Sequence, residues 1–228
     1  MKKGDFIEIE FVGRVKATGE IFDLTSEELA KKEGLYRPGY KYGPALVVVG
    51  SDMTIPGVMK QLEAMEVGEV REFDVQPKDG FGLRSPKLIR VLPISKFTEN
   101  KINPVPGEYY EIDGMRAKIQ SVSGGRVRVD FNNPLAGKVL TYRVKILRKI
   151  EQRDDKIKKV LEYYGIENDG FKLKEGKLTI KAKNMPNKLT ENIVKEILTK
   201  WINDIKNVLF EKSEKTKTNR DSSKQKFK

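Results

Sequence analysis

The sequence lacks two of the most reactive side chains, because none of its 228 residues is a cysteine or a histidine. Without cysteine there is no disulfide, no thiolate nucleophile and no thiolate metal site. Without histidine, the commonest general base and the commonest transition-metal ligand are missing too. The usual nucleophilic triads are therefore excluded. We predict a protein without a metal or cofactor, and any reaction it catalyses has to proceed without imidazole or thiol.

Long apolar runs and phosphate-binding loops are missing as well. No apolar stretch approaches the roughly 18–20 residues of a membrane-spanning helix, and no glycine-rich Walker or dinucleotide motif occurs. After Met1-Lys2-Lys3-Gly4-Asp5 the chain enters a charged, alternating strand, where a secretory segment would be apolar. We therefore expect a cytoplasmic protein with no membrane partner. The heavy use of Lys, Glu and Ile is typical of thermophiles.

Positive charge is concentrated toward the end of the chain. The net charge is +12, of which +4 falls in residues 1–152 and +8 in residues 153–228. Residues 213–228 combine many basic residues with almost no apolar content, which predicts a disordered tail. Such a tail is either a solubilising end or a weak electrostatic contact with RNA or the ribosome.

The sequence is organised around residues 45–62. The short apolar run Leu46-Val47-Val48-Val49 ends at Gly50, and a loop follows. Pro56 then stands where the first turn of a helix would begin, the position at which its missing N–H matters least. The stretch therefore predicts a strand, a loop and a short helix packed as one unit.

Three further segments predict strands that share a sheet. Residues 5–16, 69–76 and 139–150 alternate between apolar and polar side chains, as half-buried strands do. Between the first two, the pattern Thr25-Ser26-Glu27-Glu28 predicts a short helix with Thr25 as its N-cap and Glu28 completing a capping box.

Residues 87–136 predict an inserted β module. Prolines, Pro93 among them, interrupt its first part, and turn-forming glycines separate the strands that follow. We predict three short antiparallel strands, at residues 108–113, 115–122 and 126–131.

Residues 153–212 predict a further α+β domain. A helix comes first, and a hairpin turning at Glu175-Gly176 follows it. Apolar residues from Ile193 to Leu209 recur at helical spacing and predict one long amphipathic helix. The chain as a whole is therefore expected to be α+β.

The side chains left to carry a function are aromatic and aliphatic ones around residues 45–62, together with one acid, Asp23. An apolar, aromatic-walled pocket suits an apolar substrate that needs no covalent step. The chain resembles FKBP-type peptidyl-prolyl isomerases over residues 1–152, because the following motifs occur in that family's order: Ile21-Phe22-Asp23, Leu46-Val47-Val48-Val49-Gly50, Ile55-Pro56-Gly57-Val58, Asp79-Gly80-Phe81-Gly82 and Leu140-Thr141-Tyr142-Arg143-Val144.

The insertion and the C-terminal extension refine this resemblance. The module that follows Phe81-Gly82 and ends in Pro-Leu-Ala-Gly-Lys at residues 134–138 is similar to the insert-in-flap domain of SlyD-type proteins. The whole chain resembles the long archaeal members, which carry an extra C-terminal domain. The resemblance implies an antiparallel half-barrel sheet wrapped on a short helix, and it divides the chain into an isomerase domain (1–86 plus 137–152), an inserted chaperone domain (87–136), a C-terminal domain (153–212) and a basic tail (213–228).

The resemblance also implies an active site. Asp23 lies at its rim, the Ile55 backbone N–H binds a substrate carbonyl, and Phe22, Phe81 and Tyr142 wall the prolyl pocket. Further substrate contacts are implied for Phe11, Val47, Met53, Thr54 and Val58. At two positions the chain departs from the family, which often has Trp where this chain has Val58 and a Tyr hydroxyl where it has Phe81. The Phe81 ring cannot donate a hydrogen bond.

The inserted module is expected to hold unfolded or nascent polypeptides that contain X–Pro bonds. We predict an exposed apolar groove formed by Leu92, Ile94, Phe97, Tyr110, Ile112 and Leu135, with a self-contained module core as the alternative. Two other functions stay open. Residues 108–131 also look like the small barrels of translation factors, which favours an RNA- or ribosome-binding protein, and a chaperone with a degenerate isomerase pocket is the other.

Overall fold

The computed structural model describes residues 1–213, which divide into two compact units: residues 1–3 with 7–149, and residues 4–6 with the chain from 150 onward. The strands are β1 (Phe6–Val15), β2 (Ile21–Leu24), β3 (Ala45–Val48), β4 (Val70–Val75), β5 (Ile89–Pro93), β6 (Tyr109–Ile112), β7 (Met115–Ser123), β8 (Arg126–Asp130), β9 (Leu140–Ile150), β10 (Asn168–Lys174), β11 (Lys177–Ala182) and β12 (Asn207–Lys212). The helices are α1 (Glu27–Lys32), α2 (Pro56–Glu63), α3 (Ser95–Thr98), α4 (Arg153–Tyr163) and α5 (Lys188–Trp201).

The main sheet of the first unit joins the strands that the sequence predicts. Its order is β2-β1-β9-β4, with β3 pairing to β1. Because β1 alternates, Ile7 and Ile9 reach the core, where α2 covers the sheet with Val58, Met59 and Leu62. The predicted α+β half-barrel around the helix beginning at Pro56 is therefore confirmed.

Gly57 lets α2 approach the sheet closely. A Cβ at this position would lie 2.5 Å from the Val75 Cγ1 atom of β4, a distance that side chains do not tolerate. Glycine in the first turn therefore sets how near the beginning of α2 lies to the strands, and hence where the Ile55 backbone is held.

Helix α1 begins one residue later than its capping pattern predicts. The N-cap is Ser26, whose Oγ accepts a hydrogen bond from the Leu29 N–H at 3.2 Å. Thr25 is buried, and its hydroxyl instead accepts from the Phe11 N–H of β1 at 2.9 Å. The prediction of Thr25 as N-cap is wrong, because a partner distant in sequence engages that hydroxyl.

The inserted module is a four-stranded antiparallel sheet of order β5-β8-β7-β6. The three predicted strands are present, but β5 was missed because Pro93 looked like a break. Proline is compatible with a strand at the edge of a sheet, and β5 is an edge strand. The module has its own core, centred on Phe97, Ile119, Val127 and Val129.

The second unit contains α4, the predicted hairpin β10–β11, α5 and β12. The predicted long helix is too long, because α5 ends at Trp201 and Leu209 lies in β12, which pairs parallel to β11. The apolar residues beyond the helix recur at a spacing that fits both a helix and a buried strand. No helix among residues 1–213 has the length and apolar character needed to cross a membrane.

Candidate active site

Four predicted site residues form one aromatic cluster in the first unit. The Phe22 ring lies edge-on to Phe81 (6.2 Å between centroids) and to Tyr142 (5.7 Å), and Phe11 lies 6.0 Å from Tyr142. These separations are those of favourable aromatic pairs. Phe11, Phe22 and Phe81 are only partly buried against the core, so their exposed surfaces face water at the edge of the sheet.

The sequence did not single out Phe73, which belongs to the same cluster. Its ring stacks on Tyr142, with 6.3 Å between centroids, because the two residues are direct neighbours in the β4–β9 pairing. The alternation of residues 69–76 contained this information. The alternation shows on which face of the strand Phe73 lies, but only the register of β4 and β9 shows that Tyr142 is its neighbour.

A glycine makes room for the Phe22 ring. A Cβ at Gly13 of β1 would lie 2.6 Å from Phe22 Cζ and 2.9 Å from another carbon of the same ring. The far end of the ring therefore lies against the backbone of the neighbouring strand, which only glycine permits here. Gly13 is therefore a positioning residue, and sequence reasoning missed it. The available signal was a glycine within an alternating strand, which often marks a place where another group approaches the backbone closely.

The Ile55 backbone lies at the beginning of α2. Its carbonyl accepts from the Val58 and Met59 N–H groups at 3.0 Å each, and Pro56 occupies the first turn. No residue between 1 and 213 accepts a hydrogen bond from the Ile55 N–H. A donor of this kind at a helix N-terminus is suited to a substrate carbonyl, and the half-buried Ile55 side chain packs on the same core as the rings.

The remaining predicted pocket residues lie in the core of the main sheet and in the loop before α2. Val47 and Val58 are 3% and 2% exposed, so they support the cluster from within the core. Met53 and Thr54 lie half-buried in the loop before α2, where the Met53 N–H donates to Ser51 Oγ at 3.3 Å. Contact of these four residues with substrate stays a prediction.

Asp23 lies beside Phe22 in a tyrosine-rich pocket. Burial raises the pKa of its carboxyl, while hydrogen bonds from the Leu24 N–H and the Tyr40 hydroxyl and the charge of Arg37 act in the opposite direction. Tyr40 and Tyr42 contact each other edge-on at 4.8 Å. The pocket has a volume of about 70 Å³ and is lined by Ile21, Phe22, Asp23, Leu24, Leu35, Arg37, Tyr40 and Tyr42.

Residues 36–44 place Tyr36, Tyr40 and Tyr42 among glycines and prolines, in a segment to which sequence reasoning gave no role. The structure gives them one: Tyr40 holds Asp23, and the Tyr42 hydroxyl accepts from the Arg37 N–H at 3.0 Å. The dense spacing of tyrosines among glycines and prolines was the available signal.

Tyr142 keeps its proton over the whole physiological range. Burial raises the pKa of its hydroxyl well above the ordinary value, and the nearby negative charge of Asp23 raises it further. The cluster therefore offers a neutral phenol and aromatic surfaces rather than a nucleophile. Among residues 1–213, no group of three or more acidic side chains is arranged to hold a metal ion.

The structure corrects the predicted groove of the inserted module. Phe97 and Ile112 are 2% and 6% exposed and form part of the module core, so they cannot line an exposed groove. Both side chains pack against the apolar residues of β7 and β8, and this burial was not predictable from apolar spacing alone. Leu135 packs on the core of the main sheet instead. Leu92, Ile94 and Tyr110 are half-buried at the rim of the module core, and their contact with clients stays a prediction.

Comparison with known proteins agrees with this architecture. The family model described as "FKBP26, IF domain" matches residues 90–135. The chain is 34% identical over 146 residues to the short-type peptidyl-prolyl cis-trans isomerase of Methanocaldococcus jannaschii, a match that covers 64% of this chain and 92% of that protein. It is 27% identical over 117 residues to the FKBP-type isomerase SlyD of Helicobacter pylori (50% of this chain and 63% of SlyD) and 30% identical over 109 residues to the FKBP-type 16 kDa isomerase of Escherichia coli (46% and 72%).

The fold and the ring cluster thus define an FKBP-like half-barrel with an insert-in-flap module. The match to the Methanocaldococcus jannaschii protein shows more than a shared fold, because it covers 92% of that protein at 34% sequence identity. The chain belongs to the FKBP-type peptidyl-prolyl cis-trans isomerase family.

Proposed function

We propose that this protein is a peptidyl-prolyl cis-trans isomerase and folding chaperone. The observation that carries the proposal is the contact of Phe22 with Phe81 and Tyr142 on the same core that Ile55 packs against, together with an Ile55 N–H that has no partner among residues 1–213. The catalytic step is rotation about the X–Pro amide, with no covalent bond to the enzyme.

The uncatalysed rotation is slow because twisting the amide removes its resonance. Water stabilises the planar, charge-separated amide more than the twisted one. An apolar, ring-walled site takes this advantage away and fits the proline ring in the twisted state, so that the transition state is bound more tightly than the substrate. An acceleration of roughly 10⁴ requires only about 5–6 kcal/mol.

Each residue of the site has a role in this mechanism. The rings of Phe22, Phe81 and Tyr142 exclude water and contact the proline. The Ile55 N–H donates to a substrate carbonyl and fixes its orientation. Asp23, held by Tyr40, lies at the rim, where its charge adds to the burial that raises the pKa of Tyr142.

The inserted module holds unfolded or nascent chains and raises their concentration near the pocket. Support comes from the insert-in-flap match and from its apolar side chains, which include the half-buried Leu92, Ile94 and Tyr110 and the exposed Val91 and Met115. Tethering of this kind accelerates an encounter without new chemistry.

A cytoplasmic location and a weak contact with RNA or the ribosome complete the proposal. The net charge of +12 supports the latter. Most of the basic tail to which the contact was first attributed lies outside the described residues.

Exchange kinetics on a short X–Pro peptide test the enzymatic part. We expect acceleration by the full chain, and a reduction of about 10²-fold in kcat/KM for Phe22→Ala, because the ring positions the substrate. A full chain without acceleration, while it still suppresses aggregation of an unfolded protein, would instead support a chaperone with a degenerate pocket. That alternative is favoured by Val58 and Phe81, where the family often has Trp and Tyr.

A further inference from the structure

The inserted sheet has two unlike faces. Its inner face is apolar, with Ala117, Ile119, Val127 and Val129 at most 1% exposed. Because neighbouring residues of a strand point to opposite faces, the residues between them form the outer face. This outer face carries Arg126 and Arg128 on β8 and Arg116 and Lys118 on β7, all exposed.

These four cations, here called the outer cationic face, lack acidic partners. Among residues 1–213 none of them forms an ion pair, although Glu111 is directly opposite Arg116 in the strand register. Asp130 is opposite Lys118, but its carboxylate is bound by Arg84 and Asn132 at the base of the module. The four cations therefore outnumber the acidic residues paired with them, and the outer face carries an excess of positive charge.

An aromatic side chain borders the same face. Tyr109 on the edge strand β6 is 37% exposed, with the Arg116 guanidinium 4.7 Å and the Lys118 ammonium 5.6 Å from its ring centroid. These cation–π contacts hold the two long side chains extended over the surface, which lowers the entropy lost when they bind a ligand.

We propose that the outer cationic face of the inserted module is an RNA-binding site that contacts the phosphate backbone. Guanidinium groups match phosphate oxygens in a bidentate geometry, and three of the four cations are arginines. Arg126 and Arg128 are two residues apart on one strand, about 6.7 Å at the rise of a β-strand, so both can contact one strand of a polyanion. The partly exposed Tyr109 adds an aromatic side chain beside the cations, and bases of single-stranded nucleic acids stack on such rings.

RNA fits this surface better than an acidic polypeptide. A nucleic-acid strand carries a charge at every residue and can neutralise all four cations together, whereas carboxylates at such regular spacing are uncommon in polypeptides. The surface is also unsuited to a second copy of the chain, because two outer cationic faces would repel each other. The inference does not depend on isomerase activity, which uses a different part of the first unit.

Fluorescence anisotropy of a labelled single-stranded RNA with the full chain tests the proposal, with salt varied at each step. We expect affinity to fall steeply with salt, and the triple variant Arg116→Glu, Arg126→Glu, Arg128→Glu to bind about tenfold or more weakly, with a salt slope lowered by about 2. Activity on a short X–Pro peptide should stay unchanged, and hydrogen exchange at Ile119 and Val129 reports whether the inserted sheet of the variant is folded.

A matched variant keeps the test specific, because other parts of this basic chain attract RNA too. Lys172→Glu, Lys174→Glu, Lys181→Glu removes the same charge from exposed positions of β10 and β11 and should weaken binding less than the arginine variant does. If the glutamates disturb folding, the milder variant Arg116→Gln, Arg126→Gln, Arg128→Gln is used in their place. Equal weakening by both glutamate variants, binding insensitive to salt, or equal competition by an acidic peptide would overturn the proposal.

Discussion

The aromatic cluster of the main sheet and the inserted sheet place large side chains in opposite ways. In the main sheet, Phe11, Phe22 and Phe81 are left partly exposed at the edge of a complete core. In the inserted module, Phe97 of α3 is 2% exposed, and the outer face of the sheet carries arginine and lysine. Partly exposed rings mark a site for an apolar substrate, whereas the covered core of the insert leaves a surface for charged or extended partners. The two regions are therefore expected to be functionally separable.

Deleting residues 87–136 is the strongest test of this separation. The chain ends at the base of the insert lie close together, since the Gly137 N–H donates to the Gly82 carbonyl at 2.8 Å, so the main sheet can be closed without the insert. We expect activity on short X–Pro peptides to remain and the acceleration of protein refolding to be abolished. Both assays are run on the deletion protein, with circular dichroism as a check of folding. Equal loss in the two assays, with the fold intact, would show that the regions act as one.

Gly13→Ala should damage the active site and leave the insert intact. The added Cβ would meet the Phe22 ring at 2.6 Å and displace it, so we expect about a 10²-fold loss in kcat/KM on a short peptide. Overpacking should also lower the free energy of unfolding by about 1–3 kcal/mol.

A double variant identifies the clash as the cause. In Gly13→Ala, Phe22→Leu the smaller side chain should restore stability but not activity, as measured by urea unfolding and peptide kinetics. Stability that stays low in the double variant would show that the Phe22 ring is not what Gly13 accommodates.

Asn132→Ala should weaken the junction between the insert and the main sheet. Its side chain bonds the Ser85 N–H (2.8 Å), the Ser85 carbonyl (3.1 Å) and the Asp130 carboxylate (2.7 Å), and Asn132 is buried. Leaving these groups unpaired should cost about 1–3 kcal/mol of stability. Hydrogen exchange should accelerate at Ile119 and Val129 within the insert. Asn100→Ala, an exposed site in the same module, is the control, and an equal effect there would contradict a special role for the junction.

The sequence predicted the parts of the fold whose signals are local or ordered along the chain. The strands of the main sheet, the helix beginning at Pro56 and the site rings followed from alternation and from motif order. What it could not supply depends on contacts between distant segments: the hydroxyl of Thr25 that bonds Phe11, the strand at Pro93 that lies at an edge, and the register that brings Phe73 beside Tyr142.

The prediction of which apolar residues of the insert are exposed failed for the same reason. Apolar side chains at strand spacing look alike whether a second layer covers them or not, and only the packing of the whole module shows that Phe97 and Ile112 are inside. The Gly13 contact likewise depends on where a ring of the adjacent strand lies. Such pairings are set by the whole fold rather than by a segment.

The smallest expected effect is on pH dependence, and it distinguishes a partly buried acid of the site from an exposed one. Burial raises the pKa of Asp23 in the folded protein, so its contribution to stability is present below the unfolded pKa of about 3.9 and is lost as the pH rises through the folded value. Asp23→Asn should remove this decline, and it should lower the pKa of Tyr142, whose proton the Asp23 charge helps to retain.

Asp74 on β4 gives the opposite sign and serves as the control. Hydrogen bonds from Lys16 and Thr141 lower the pKa of its carboxyl, so its contribution is present above the unfolded pKa and is lost as the pH falls. Urea unfolding across the acid range, compared between the wild type and each Asn variant, should give differences of opposite slope, with tyrosinate absorbance following Tyr142. Slopes of the same sign would mean that Asp23 is not held in the partly desolvated environment on which its role at the rim of the pocket depends.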